Sequence, residues 1–142
     1  MREIKKIFIH CSYTKADQDI GTDEIRQMHI ARNWSDIGYH YVGRRSGVIE
    51  TGRDLDGDGD IDEEIGAHVR GHNHDSLAYC LVGGKSDEGR PLFNFTGMQM
   101  KALRRWMDGM RARYPGVEFY GHRDFDSEKE CPCFDVRAWY YG

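Results

Sequence analysis

The sequence predicts one α/β domain over residues 1–142, and three observations carry that expectation. Apolar runs of strand length recur at 4–10, 37–42, 76–82 and 117–120. Segments with helical spacing, 22–33 and 96–113, separate them, which is the alternation of an α/β fold. The chain has 142 residues, 39% of them hydrophobic, enough to bury one core, and no apolar stretch approaches the length of a membrane span.

In chain order, Ile4, Ile7, Phe8 and Ile9 make a nearly continuous apolar run, the pattern of a buried strand, and it delivers His10 at its C-terminal end. Such a placement suits a site at the edge of an α/β sheet. A polar loop over 14–21 leads to a helix expected to start with Thr22 as N-cap, with Asp23 and Glu24 in its first turn. Ile25, Met28 and Arg32 share its face, and His29 reads as a core-edge residue. Residues 37–42 and 48–50 flank a turn at Arg45-Ser46-Gly47 and predict a hairpin. After a strand over 76–82, Thr96 and Gln99 form a capping box for the longest helix, with Met100, Leu103, Met107 and Met110 on its buried stripe. Tyr114-Pro115-Gly116 stops that helix, the strand 117–120 follows, and a short helix over 135–141 closes the fold.

The formal charge of -4, without a basic stripe, argues against a nucleic-acid partner. The first six residues lack the apolar core of a signal peptide. Synthesis in the cytoplasm is therefore expected, with access to anything outside the membrane supplied by another route, and a monomer is the expected state. Cys11 and Cys80 lie in apolar strand contexts and read as buried small hydrophobes.

The chemistry concentrates in Gly121-His122-Arg123-Asp124 and, nine positions after His122, Cys131-Pro132-Cys133. With His10 from the first strand, two imidazoles and one thiol give three ligands for zinc and leave the fourth tetrahedral position to water, the pattern of a catalytic metal. Lys129 stands two residues before Cys131, so in an extended segment both point the same way. Tyr39 reads either as a packing residue or as a phenol donor aimed at a reacting carbonyl. The pair His72 and His74 sits among loop residues and reads as a decoy, whereas His68, beside small residues, is a candidate for lining a cleft.

A second feature is the acidic loop over about 54–65. Asp54, Asp56, Asp58 and Asp60, with Gly59 at position 6 and Ile61 at position 8, follow the register of an EF-hand calcium loop. The bidentate glutamate of position 12 is missing, because Ile65 stands there and Glu64 comes one place early. Calcium binding and a merely solvated acidic loop both fit this pattern.

These landmarks resemble, in order, the small phage-type N-acetylmuramoyl-L-alanine amidases of the peptidoglycan-recognition-protein superfamily. They are Ile-His-Cys-Ser at 9–12, Gly-Tyr-His at 38–40, Glu-x-Gly-Arg at 50–53, Ala-His at 67–68 and Asn-His-x-Ser at 73–76. Cys-Leu-Val-Gly-Gly at 80–84, Phe-Thr-x-x-Gln at 95–99, Gly-His-Arg-Asp at 121–124 and Lys-x-Cys-Pro-x-Phe-Asp at 129–135 complete the series. The resemblance implies a central mixed sheet flanked by helices and one zinc ion held by His10, His122 and Cys131. It selects Cys131 over Cys133, and makes Tyr39 and Lys129 catalytic helpers. His68 and His40 are the residues expected to meet substrate. The implied reaction is hydrolysis of the amide joining the lactyl group of N-acetylmuramic acid to L-alanine in peptidoglycan. Action on the wall as an endolysin or autolysin, after release through a holin-type hole, goes with it.

The acidic insertion is absent from the shortest family members, so the resemblance assigns it no role. Some phage relatives inhibit an RNA polymerase through an N-terminal extension, and few residues here precede the first strand. Two competing readings are a module that holds muropeptides without cutting them, whose members typically lack the cysteine ligand, and a cytoplasmic amidase that trims recycled wall fragments. A third treats the metal as structural and the acidic loop as a calcium-gated interaction element.

Overall fold

The computed structural model describes residues 2–142. The element order is β1 (Lys6–Cys11), β2 (Thr14–Lys15), α1 (Thr22–Ile30), β3 (Tyr41–Gly43), β4 (Ile49–Thr51), β5 (Ser76–Leu81), β6 (Gly84–Lys85), α2 (Gly97–Arg113), β7 (Glu118–Gly121) and α3 (Val136–Tyr141). A five-stranded sheet runs β4-β3-β5-β1-β7. β1 pairs in parallel with β5 and β7, β3 pairs in parallel with β5, and the β3–β4 hairpin is antiparallel. The sheet is therefore mixed, as the resemblance implies. β2 and β6 form a small parallel pair beside it.

β1 lies inside the sheet, between β5 and β7, and carries the first candidate site residue. With neighbours on both edges and helices over both faces it has no polar side to show, which explains its continuous apolar run. Its side chains alternate between two layers. Ile7, Ile9 and Cys11 join Leu77, Tyr79 and Leu81 under Leu103, Met107 and Met110 of α2, in a core that also takes Val136 and Tyr140 of α3. Ile25 of α1 covers the other face with Ile37, Val42, Cys80 and Val82. Phe8 and His10 point away from the α2 layer, so the strand alternation alone puts His10 on the α1 side.

α2 starts as its capping box predicts, the Thr96 hydroxyl accepting from the Gln99 amide at 3.0 Å while the Gln99 carboxamide accepts from the Thr96 amide at 2.9 Å. The buried Gln99 also donates to the carbonyls of Gly43 and Val82, tying the helix to the ends of β3 and β5. α1 differs in detail from the sequence expectation. Its N-cap is Gly21, and Thr22 is the first helical residue. The free amides there are taken up by acidic side chains, Glu24 accepting from Gly21 and Glu50 accepting from Thr22, both at 2.9 Å. The helix ends at Ile30 rather than near Asn33.

The strand expected over 37–42 shrinks to 41–43, because its first half bonds elsewhere. The Gly38 amide donates to His29 and the Gly38 carbonyl accepts from Ala67. The terminal helix begins at Val136, with Asp135 as a true N-cap accepting from the Ala138 amide. No helix among the described residues is long and apolar enough to cross a membrane.

Candidate metal centre and cleft

The site lies at the C-terminal ends of adjacent parallel strands, where α/β sheets gather their ligands. Ile9 of β1 registers with Gly121 of β7, so His10 and His122 leave neighbouring strands side by side, their rings 4.8 Å apart. A tight turn at His122–Asp124 follows β7, and the Asp124 carboxylate holds it by accepting from the Gly121 amide at 2.8 Å. The chain then loops out and returns with Cys131. Two hydrogen bonds fix that return: the Arg123 amide donates to the Cys131 carbonyl at 2.9 Å, and the Cys11 amide donates to the Cys131 sulfur at 3.1 Å. Donor atoms of His10, His122 and Cys131 all lie within 4.8 Å of one another.

These residues fit zinc on geometry and on protonation. His10 Nδ1 faces Cys131 Sγ at 3.9 Å; a tetrahedral zinc with ordinary bond lengths sets such a pair about 3.6 Å apart. Burial pushes the His10 imidazole well below its usual pKa, and does the same more mildly to His122, so both rings are neutral and carry a lone pair. Cys133, by contrast, turns its thiol to the Gly84 carbonyl at 3.3 Å and stands outside the group. Gly84 has φ +97, and a Cβ there would come within 2.7 Å of Cys11 Sγ, so this close thiol packing needs glycine.

A hydrogen-bond relay behind His10 fixes its tautomer. The Ser76 hydroxyl spends its only proton on the His72 carbonyl at 2.7 Å, so toward His68 Nε2, at 3.2 Å, it can only accept. His68 therefore carries its proton on Nε2 and offers Nδ1 as acceptor to His10 Nε2, 3.0 Å away. His10 must then be protonated on Nε2, which leaves the Nδ1 lone pair aimed at Cys131. Burial keeps His68 neutral, as the relay requires. Asn73 secures the backbone of the relay by accepting from the amides of His68 and Val69, both at 3.0 Å. The motif residues Asn73 and Ser76 thus serve one imidazole.

The cleft over this centre has a volume of about 530 Å³ and is walled by Tyr39, His68, His122, Lys129 and Cys131, among others. The Tyr39 ring lies 5.0 Å from that of His10, and burial raises its phenol well above the ordinary pKa, so it is a hydrogen-bond donor across the neutral range. Lys129 stands exposed at the rim, its charge among the influences that lower His122.

His40 is placed differently from its expected role at the substrate. It is 0% exposed; its Nδ1 accepts from the Ala78 amide at 3.0 Å and its Nε2 donates to the Glu64 carbonyl at 2.6 Å. Both nitrogens are used inside the fold, so His40 joins β5 to the end of the acidic loop and does not line the cleft. His68 does line it, but its polar atoms face His10 and Ser76. The cleft also contains residues the sequence did not single out, His29, Arg32 and Trp34 around the C-terminal end of α1. Their only sequence signal is that Ile25, His29 and Arg32 recur at helical spacing. The His72–His74 pair stays outside the metal-ligating groups among the described residues.

Comparison with known proteins gives the chain its family. Residues 1–134 match the family model described as N-acetylmuramoyl-L-alanine amidase. The chain belongs to the N-acetylmuramoyl-L-alanine amidase family. It is 43% identical over 139 residues to the endolysin of Klebsiella phage KP32, covering 98% of this chain and 87% of that protein. It is 41% identical over 134 residues to the endolysin of Escherichia phage T7, covering 94% and 83%. Among solved structures, the endolysin N-acetylmuramoyl-L-alanine amidase LysCS of Clostridium intestinale superposes with TM-score 0.77 at 23% identity, over 99% of this chain and 85% of that one. Drosophila PGRP-LB superposes with TM-score 0.69 at 25% identity, over 93% and 76%. As a member of this amidase family, the chain is a peptidoglycan amidase that acts in cell-wall lysis.

In the acidic loop, the carboxylates of Asp54, Asp56 and Asp58 gather within 4.8 Å of one another, and Asp56 is shared with a second group formed with Glu63 and Glu64. The Asp60 carboxylate is in neither group. Its amide instead donates to Asp58, consistent with a loop position that contributes backbone rather than side chain.

Proposed function

We propose that the protein is a zinc-dependent endolysin amidase that cuts the amide between the lactyl group of N-acetylmuramic acid and L-alanine, and that it reaches the wall after release from the cytoplasm. The observation that carries this reading is the relay from Ser76 through His68 to His10, which aims the Nδ1 lone pair of His10 at Cys131 beside a neutral His122. A ligand whose second nitrogen is committed to a hydrogen bond is the signature of a tuned metal site.

His10, His122 and Cys131 would hold the ion, the thiolate offsetting part of its charge and the neutral imidazoles preserving the rest. Zinc supplies Lewis acidity for the scissile carbonyl and a water acidified to a pKa of about 7. Lys129 and Tyr39, on the walls of the same cleft, donate to the carbonyl oxygen as negative charge gathers on it, an effect worth roughly 3 kcal/mol for a single donor. Tyr39 acts as a donor and not as a proton source, since burial makes its phenol a weaker acid than usual. The His68–Ser76 pair keeps the histidine ligand oriented; His68 lines the cleft, but its ring nitrogens are committed to His10 and Ser76.

The test is mass spectrometry of purified peptidoglycan after digestion with and without a zinc chelator. Free stem peptides beginning at L-alanine, only in the chelator-free digest, are expected. Wall fragments bound but uncut in both digests would overturn the reading in favour of a recognition module.

A further inference from the structure

Tyr13 is held in a conformation that its neighbours dictate. On either side of it the chain is tied to the end of β5 and the turn that follows. The Ser12 amide donates to the Leu81 carbonyl and the Thr14 amide to the Gly83 carbonyl, both at 3.0 Å. The Ser12 hydroxyl also accepts from the Gly83 amide at 2.9 Å. Between these anchors Tyr13 has φ +55, a left-handed backbone that is costly for any residue with a Cβ and rare for an aromatic one. Its side chain is 41% exposed. Strain of this kind persists only where the surroundings enforce it, and it gathers at functional sites.

The exposed ring is held at its tip as well. Its hydroxyl donates to the Gly89 carbonyl at 2.5 Å, and the Lys85 ammonium sits over the ring, 5.3 Å from its centroid. β2 and β6 bring these partners together, since Thr14 pairs with Gly84 and Lys15 with Lys85. Tyr13 lines the cleft over the metal centre, and so does Pro91 from the loop that carries Gly89. The result is a flat, largely apolar platform on the wall of the candidate site, fixed at its backbone and at its hydroxyl. A tyrosine that served only to pack the fold would be buried.

The parts of the cleft wall differ in chemistry. From the α1 side, the rings of His10, Tyr39, His29 and Trp34 follow one another at 5.0, 5.3 and 4.5 Å, and Arg32 adds a guanidinium. That side offers hydrogen-bond donors and positive charge, which suit the amides and carboxylates of a peptide. From the β2–β6 side come Tyr13 and Pro91, whose flat apolar surfaces suit the C–H face of a pyranose ring. A muramoyl peptide cut at the metal centre extends both ways from the scissile amide, with the sugar on the acyl side and the peptide on the amine side. We propose, on the reading that the protein is a muramoyl amidase, that Tyr13 stacks on the sugar ring of the muramoyl group. The enzyme then reads the glycan side of the bond as well as the peptide side.

The experiment compares two soluble substrates with the same stem peptide, an N-acetylmuramoyl peptide and a lactyl peptide without the sugar ring, on the zinc-loaded, full-length protein. The wild type is expected to prefer the muramoyl peptide by about ten-fold in kcat/KM, mostly through KM. Tyr13→Ala should bring that preference close to one, and Tyr13→Phe, which keeps the ring, should retain most of it. Equal losses on both substrates in Tyr13→Ala, the mark of a merely structural role, would overturn the proposal. So would a preference left intact in Tyr13→Ala, or one lost as fully in Tyr13→Phe. Turnover of neither substrate by the wild type would count against the reaction and not against the stacking. Calorimetric titration of the same proteins with the two compounds then decides it. Tighter binding of the muramoyl peptide by the wild type, lost in Tyr13→Ala, is expected, and equal affinity of the wild type for both compounds would overturn the proposal.

Discussion

The candidate metal centre and the acidic loop both gather side chains able to hold a cation, but they orient them by opposite means. At the metal centre every donor is held from behind: His10 by His68, Cys131 by the amide of Cys11, and His122 by the turn that Asp124 closes. Burial makes both imidazoles neutral, so the site is assembled without strong internal repulsion. In the acidic loop the carboxylates are held by loop amides, Gly59 donating to Asp54 and Asp58 donating to Asp56, and they crowd one another. A preorganised site keeps its shape whether or not an ion is bound, whereas crowded carboxylates carry a repulsion that only solvent, protons or a cation relieves. Chemistry that tolerates no misplacement belongs at the first kind of site.

The sharpest way to break the contrast is to remove a ligand. Cys131→Ser should abolish zinc retention and lower amidase turnover by about 10³-fold or more, measured by metal analysis and peptide release on the same preparation. Lys129→Ala should separate binding from chemistry. Zinc content should stay at the wild-type level while kcat falls about 10²- to 10³-fold, in steady-state assays on soluble muropeptides. Ser76→Ala tests the support rather than the ligand. It leaves His68 Nε2–H without its acceptor, so zinc affinity should weaken about ten-fold, read by competition with a chromophoric chelator, with the melting temperature in excess zinc close to wild type.

The smallest effect concerns the fold itself. Burial holds His40 and His29 each at about 4 against an ordinary 6.5. Between those values the unfolded chain binds protons that the folded one refuses, so stability rises with pH across the window and is lost as pH falls through it. The metal-free protein should melt about 5 °C or more lower at pH 4.5 than at pH 7, by circular dichroism.

What the sequence made legible was whatever local chemistry enforces. Thr96 and Gln99 announce the start of α2, and the apolar run of β1 announces a strand covered on both faces. Tyr114-Pro115-Gly116 marks the end of the long helix. His10, His122 and Cys131 were legible as a set because each sits in an ordered landmark, Ile-His-Cys-Ser, Gly-His-Arg-Asp or Lys-x-Cys-Pro-x-Phe-Asp, although 121 positions separate the outermost pair. Burial and tertiary pairing were not legible. His40 and His68 look alike in the sequence, each following a small or aromatic neighbour, and only the packing shows that one staples β5 to a loop while the other backs a ligand. The shortened strand at 41–43 was equally hidden, since its lost hydrogen bonds go to His29 and Ala67. Glu63 and Glu64 drop out of a strict loop register, and only the turn at Ile61–Glu63 sets their carboxylates beside Asp56.

The most direct measurement of the central claim is a titration of zinc into metal-stripped protein, following the release of peptides from peptidoglycan at each addition. Activity should rise linearly and level off at one zinc per chain, with no rise in the Cys131→Ser variant. Full activity in the stripped protein, or a plateau unrelated to zinc stoichiometry, would contradict the assignment of His10, His122 and Cys131 as a catalytic metal centre.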